Sequence, residues 1–170
     1  FSNPHGLHDP YHYSTARDLA TLARYAMSNE TFRAIAGTRT YSIPKTNTHR
    51  QRDLTTRHRL MLSTWSGKEN SYYYAPMTGI KSGSHSMAAY CFVGSASKDG
   101  VDLISVVLCS GYYEYMRDTK KLMEYGFSQY TSVTVSELYQ KHPITVYTSG
   151  YSLDDRGLGE LTLNAVPVDP

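Results

Sequence analysis

Residues 78–83 read Thr-Gly-Ile-Lys-Ser-Gly, and residues 88–100 read Ala-Ala-Tyr-Cys-Phe-Val-Gly-Ser-Ala-Ser-Lys-Asp-Gly. Lys98-Asp99-Gly100 is a hairpin turn signal, so the flanking runs pair as antiparallel strands. Strand signals cover about 74–82, 87–97 and 101–109. The last is continuously apolar over Leu103–Leu108 apart from Ser105, the pattern of a central strand covered on both faces. At the start of this β unit stands Lys81-Ser82-Gly83. A lysine there sets a cation beside a place where a carboxylate would lie, and the Ser82 hydroxyl can bond the same anion. Gly83 carries no side chain, so an extended peptide can approach the strand closely and pair with it. The bland alternative is a lysine on a strand followed by a turn.

Helical signals surround the strands. Ser14-Thr15 caps a helix to about Met27, with Asp18 placed for a capping box and an apolar stripe of Leu19, Leu22, Ala23 and Ala26. Asn29 caps a short helix that stops at Gly37, and Thr40–Ile43 alternates like a strand. Residues 45–70 are polar, with one apolar patch at Leu60-Met61-Leu62. A further helix runs from about Arg117 to Tyr130, with Leu122, Met123, Tyr125 and Phe127 facing inward. Beyond it, Val133–Val135, Ile144–Tyr147 and Leu161–Leu163 are short β runs between Pro and Gly turns. The chain therefore divides into 1–130, a mixed α+β unit of antiparallel sheet packed by helices, and 131–170, the start of a small all-β module.

Composition narrows the function. The 170 residues carry 17 Lys and Arg against 15 Asp and Glu, a net charge of +2, so no polyanionic partner is demanded. No apolar run approaches the roughly 20 residues that span a bilayer. The basic cluster Arg50, Arg52, Arg57 and Arg59, near Tyr72-Tyr73-Tyr74, is a phosphate-reading pattern only if the charge is concentrated. With the near-neutral total it reads as a solvated face, or as one arginine aimed at a carboxylate, and nucleic acid is not expected. His5, His8, Asp9 and His12 have donor types that suit zinc, but they lie in a Pro/Gly loop and not at helical spacing. Cys91 and Cys109 fall nearly opposite each other across the hairpin. A cross-strand disulfide and two buried free thiols both fit that placement.

Nucleophilic catalysis needs an activated serine. Two S-x-x-K matches occur. In Ser42-Ile-Pro-Lys45 the proline breaks the helix that would bring serine and lysine to one face. Ser95-Ala-Ser-Lys98 lies on a strand. No S-x-N is present, so these residues offer no nucleophile.

Five stretches in order carry a resemblance: Asn3-Pro-His-Gly-Leu-His-Asp9, Tyr13-Ser-Thr-Ala-Arg-Asp-Leu-Ala20, Thr78–Gly83, Ala89-Tyr-Cys-Phe-Val-Gly-Ser-Ala96 and Lys120-Lys-Leu-Met-Glu-Tyr-Gly-Phe127. From Asn3 to about Tyr130 the chain resembles the C-terminal half of the transpeptidase-like domain of D-alanyl-D-alanine carboxypeptidases. These are the low-molecular-mass penicillin-binding proteins, serine peptidase family S11. From Thr131 it is similar to the beginning of that family's β-rich C-terminal domain. The motif set is S-x-x-K, S-x-N and K-T-G, and only the third appears here, as K-S-G.

The resemblance implies an α+β fold, hydrolysis of the terminal D-Ala–D-Ala amide of a peptidoglycan stem peptide, trapping by β-lactams, no cofactor or metal, and a place outside the cytoplasmic membrane in the cell envelope. It implies that Lys81, Ser82 and Gly83 belong to the catalytic edge, with Ser84 and His85 beside it. Arg57, in a segment altered to Thr56-Arg57-His58, and Arg117, two places from the family's arginine position now held by Tyr115, are substrate-binding candidates. The serine-bearing half would precede residue 1, and without it the chain is expected to be inactive. The family's sheet order sets its first strand beside 101–109. That edge is expected to pair with the preceding half or with a second copy. The class-level alternative is a peptidoglycan-peptide binding module with no catalysis.

Overall fold

The structure, a computed structural model, describes residues 1–141, which fall into two compact units, 1–131 and the part of 132–170 that is described. In the first, helix α1 (Ala16–Met27) begins where the Asp18 N–H donates to Thr15 Oγ1 at 3.1 Å. Helix α2 (Glu30–Gly37) begins the same way, with the Phe32 N–H donating to Asn29 Oδ1 at 2.9 Å. Both caps satisfy amides that the first turn leaves without partners. Leu22, expected inward on α1, is 54 % exposed, and Ala23 and Met27 are the residues that bury.

The polar region 45–70 holds more structure than its composition suggests. Strand β1 (Thr40–Ile43) pairs antiparallel with β2 (Arg52–Thr55), whose four residues are all exposed. A 3₁₀ turn at Arg59–Met61 buries Leu60 and Met61. A two-residue hairpin joins β3 (Thr64–Trp65) to β4 (Lys68–Glu69), and Ser66 and Gly67 both adopt positive φ, 51° and 75°. That is the backbone a type I′ turn requires.

The core is built on a three-stranded antiparallel sheet of β5 (Met77–His85), β6 (Ala89–Lys98) and β7 (Val101–Ser110), in the order β5-β6-β7. Asp99 and Gly100, at φ 51° and 77°, make the β6–β7 turn that the sequence announces. Strand β6, and not β7, is central, and β7 is an edge among the described residues. Its apolar run has a different cause from the expected one. Helix α3 (Glu114–Gln129) packs on β7 together with α1, so the strand is covered although one edge is open. Arg33 of α2 adds a 3.0 Å ion pair to Asp102 of β7, with both side chains half-exposed.

Helix α3 starts three residues earlier than the sequence suggests; of the residues expected inward, Met123 is buried and Phe127 packs against the core. Tyr115, Met116, Thr119 and Met123 bury, whereas Leu122 and Tyr125 are 47 % and 66 % exposed. The buried positions follow the i, i+3, i+4 row of a helix that begins at Glu114. Two glycines permit the packing. A Cβ at Gly94 would stand 2.6 Å from the Phe92 ring, and one at Gly126 would stand 2.6 Å from Leu103 Cδ1. Phe92, Met77, Met116, Met123, Leu60 and Met61 form the center of the core.

In the second unit the expected strand at 133–135 is replaced by helix α4 (Val135–Lys141). Thr134 and Glu137 form a reciprocal capping box. The Glu137 N–H donates to Thr134 Oγ1 at 3.2 Å, and the Thr134 N–H donates to Glu137 Oε2 at 2.8 Å. Two matched caps outweigh the β propensity of three residues. The β runs expected at 144–147 and 161–163 lie outside the described residues.

Candidate active-site edge

The candidate site follows from the sheet order. Strand β5 is an edge, and it carries Lys81, Ser82, Gly83, Ser84 and His85 consecutively. Side chains alternate along a strand, so Ser82 and Ser84 share a face with their cross-strand partners Phe92 and Tyr90. Lys81 and Gly83 share the other face with Val93 and Cys91. Lys81 is exposed, and its ammonium donates to the Ser82 carbonyl oxygen. Ser82 is half-buried. A Cβ built on Gly83 meets no atom within 4 Å. Packing within the chain therefore gives no reason for glycine at 83, in contrast to Gly94 and Gly126.

Two residues outside the triplet join it. His85 stacks on His8 of the N-terminal loop, with ring centroids 4.7 Å apart and planes 12° from parallel. His58, next to Arg57, is 8 % exposed and meets Phe92 edge-on at 4.5 Å. Its pKa falls from 6.5 to about 4: burial is the chief cause, hydrogen bonding to the backbones of His58 and Gly79 opposes it, and the nearby Lys81 charge adds to the lowering. His58 is therefore neutral at pH 7, and its Nε2 has no hydrogen-bond partner. In sequence it was indistinguishable from the basic cluster around it. The signal that could have found it is its position two residues before the apolar patch at 60–62.

The remaining candidates separate. Arg57 is exposed in the loop between β2 and the 3₁₀ turn. Arg117 stands in the first turn of α3, 3.9 Å from Glu114 and 6.0 Å from the Tyr72 ring. It belongs to an aromatic cluster around Tyr72. There Arg59 lies 5.2 Å from both the Trp65 and Tyr72 rings, and Tyr72 stacks on Tyr113. Asn70 holds this cluster from beneath, donating to the Arg59 and Leu62 carbonyls at 2.6 and 2.8 Å and accepting from the Tyr72 N–H at 3.1 Å. These arginines are thus spread over a strand, a loop and an aromatic stack rather than gathered for phosphate.

The loop histidines do not converge either. His12 Nδ1 accepts from the Ser2 and Asn3 amides, and His5 Nδ1 accepts from the Leu7 amide. Among the described residues no three metal-donor side chains gather. Neither S-x-x-K serine lies on a helix: Ser42 is exposed on β1 and Ser95 is on β6. Ser95 is buried on β6 with its hydroxyl 2.9 Å from that of Thr78, and Ser42 Oγ donates to Asp53 at 2.5 Å.

The antiparallel sheet backed by helices has counterparts among known proteins. Residues 1–111 match the D-alanyl-D-alanine carboxypeptidase family model. The chain belongs to this family. It is 33 % identical over 132 residues to the D-alanyl-D-alanine carboxypeptidase of Streptomyces sp. strain K15, which spans 75 % of this chain and 42 % of that one. The enzyme of the same name from Bacillus subtilis is 30 % identical over 131 residues, covering 76 % of this chain and 31 % of that one. The crystal structure of the Streptomyces K15 DD-transpeptidase superposes with a TM-score of 0.60 at 33 % identity, covering 72 % of this chain and 45 % of that one. The Mycobacterium tuberculosis D-alanyl-D-alanine carboxypeptidase gives 0.58 at 26 % identity, with coverage of 72 % and 44 %. The chain spans less than half the length of these family members. Its fold is the helix-packed antiparallel sheet of the DD-peptidases, and no helix among the described residues is long and apolar enough to cross a membrane.

Proposed function

We propose that residues 81–83 are the carboxylate-gripping edge of a serine-type D,D-carboxypeptidase that acts on peptidoglycan stem peptides outside the cytoplasmic membrane. In this reading a serine on a segment outside these 170 residues attacks the carbonyl carbon of the D-Ala–D-Ala amide. The C–N bond breaks, the terminal D-alanine leaves, and water hydrolyses the acyl-enzyme. Lys81 and Ser82 point to opposite faces of β5, so a substrate carboxylate lying along its edge meets the Lys81 ammonium from one side and the Ser82 hydroxyl from the other. Ser84 and His85 continue the wall of the cleft. Arg57 and Arg117 are further anion contacts. β-Lactams, which carry a carboxylate in the corresponding place, acylate the same serine.

One observation carries this reading. Gly83 has open space where a side chain would stand, on an exposed strand edge beside a lysine. A ligand backbone approaching that edge accounts for glycine where the fold does not. The open edge of β7 supports pairing with the preceding half of the family fold or with a second copy.

The test is fluorescent penicillin. The isolated 170 residues are expected to take no covalent label, because both S-x-x-K serines are on strands, where serine and lysine do not share a helical face. Stoichiometric labelling of the isolated chain refutes the reading. A second reading, a stem-peptide binding module without catalysis, is favoured by the strand placement of Ser42 and Ser95, which keeps each from sharing a helical face with its lysine. It would be preferred if the protein completed with an S-x-x-K-bearing half still failed to acylate.

A further inference from the structure

The β6–β7 ladder contains an irregularity that changes the relation of the two cysteines. Tyr90 pairs with Ser110 and Phe92 pairs with Val107, so Cys91 alone opposes both Leu108 and Cys109. This is a β-bulge, with the extra residue on β7. In a regular ladder running back from the Lys98–Val101 pair, Cys91 would face Leu108 and Cys109 would fall on the opposite side of the sheet. Tyr90 and Phe92 share one face, as do their partners Ser110 and Val107. Both bulge residues therefore point to the face that Cys91 occupies.

Three observations bear on the pair. The Cys109 amide donates to Cys91 Sγ at 3.5 Å, so the Cys91 side chain already lies against the Cys109 backbone. Cys109 sits at φ 53°, a left-handed conformation held by the bulge and unusual for a residue with a side chain. Both thiols are free, with Cys109 exposed and Cys91 half-buried. Neighbouring strands about 4.8 Å apart bring opposed Cα atoms within the roughly 4.4–6.8 Å span that a disulfide bridges.

We propose that Cys91 and Cys109 form an oxidisable dithiol site whose co-reactant is a disulfide, either a small molecule or an oxidoreductase. The exposed Cys109 thiolate attacks one sulfur of that disulfide, giving a mixed disulfide and releasing one thiol. The Cys91 thiolate then attacks Cys109 Sγ, forming the Cys91–Cys109 bond and releasing the second thiol. Two protein thiols are oxidised and one disulfide is reduced to two thiols. Cys91 is the direct cross-strand partner of Gly83, so the bond fastens β6 to β7 at the level of the candidate active-site edge. This inference rests on the ladder geometry alone and stands whether or not the enzymatic reading does.

The experiment exposes the folded, reduced 170-residue chain at low protein concentration to oxidised glutathione, then reads intact mass, free-thiol count and the peptide map. The expected product is a monomer lighter by two hydrogens, with both thiols lost together, the peptides of Cys91 and Cys109 joined, and full reversal by dithiothreitol. Cys91→Ser is expected to stop at one stable glutathione adduct on Cys109, and Cys109→Ser to leave Cys91 largely unmodified. Two separate glutathione adducts, disulfide-linked dimers, or a cross-link that forms only in denaturant would each overturn the proposal.

Discussion

The His58 imidazole meets the Phe92 ring edge-on at 4.5 Å, and Phe92 is the cross-strand partner of Ser82 in the candidate catalytic triplet. A buried, neutral histidine thus lies one side chain beneath the strand that carries the candidate site. The arrangement has a pH signature. The folded pKa of about 4 lies below the ordinary 6.5 because burial disfavours the imidazolium. Between those values the unfolded chain binds a proton that the folded chain refuses. Stability therefore falls as pH drops from about 6.5 and levels off below about 4, with a total loss on the order of 3 kcal/mol. Urea titrations between pH 7 and 4 are expected to show this slope, and His58→Leu is expected to flatten it. An unchanged slope in the variant would mean that His58 is not the titrating group.

Asn70 is the organiser of the loop between the 3₁₀ turn and β5. It is 5 % exposed, and its amide satisfies two carbonyls and one N–H. Asn70→Ala leaves those groups without partners in a site closed to water and is expected to cost about 2–4 kcal/mol. Because Asn70 supports Arg59 and Tyr72, fluorescence of the single tryptophan, Trp65, is expected to change with it. A urea midpoint within error of wild type would contradict this role.

Gly94 and Gly83 make a paired test. Gly94→Ala drives a methyl to 2.6 Å from the Phe92 ring and is expected to destabilise the chain by about 1–3 kcal/mol. Gly83→Ala meets nothing within 4 Å and is expected to leave thermal stability within about 0.5 kcal/mol. In the protein completed with an S-x-x-K-bearing half, the same Gly83→Ala change is expected to slow penicillin acylation. A destabilised Gly83→Ala chain would show that this glycine serves the fold.

Much of the core was legible in sequence because its signals are local. Thr15 and Asn29 cap the helices they precede, and Asp99-Gly100 sets both the turn and the register of β6 and β7. The illegible parts have physical reasons. Strand β2 is exposed at every residue, so no hydrophobic alternation marks it. Ser66-Gly67 is a turn signal between strands of only two residues each, too short to leave a pattern. Thr134 and Glu137 spell a capping box inside a run of β-formers, where propensity points the wrong way. At the candidate site, the triplet announces itself by residue type. The stacking of His8 on His85 and the burial of His58 depend on distant segments meeting, and no spacing in the chain encodes either contact.

Ser82 separates hydroxyl chemistry from side-chain size. It is half-buried on the Phe92 face. Ser82→Thr keeps the donor and is expected to retain acylation, while Ser82→Ala is expected to lose roughly tenfold, the worth of one hydrogen bond to a charged group. Equal rates for both variants would remove the hydroxyl from the reaction.

The most direct measurement is the second-order rate of penicillin acylation of the protein completed with an S-x-x-K-bearing half, with Lys81 intact and as Lys81→Ala. Loss of the cation facing the β-lactam carboxylate is expected to lower the rate by about 10²–10³, with the thermal midpoint unchanged because Lys81 is exposed and its ammonium reaches only the Ser82 carbonyl. Acylation by Lys81→Ala at the rate of the unmodified protein would contradict the assignment of this strand edge as the anion-binding wall.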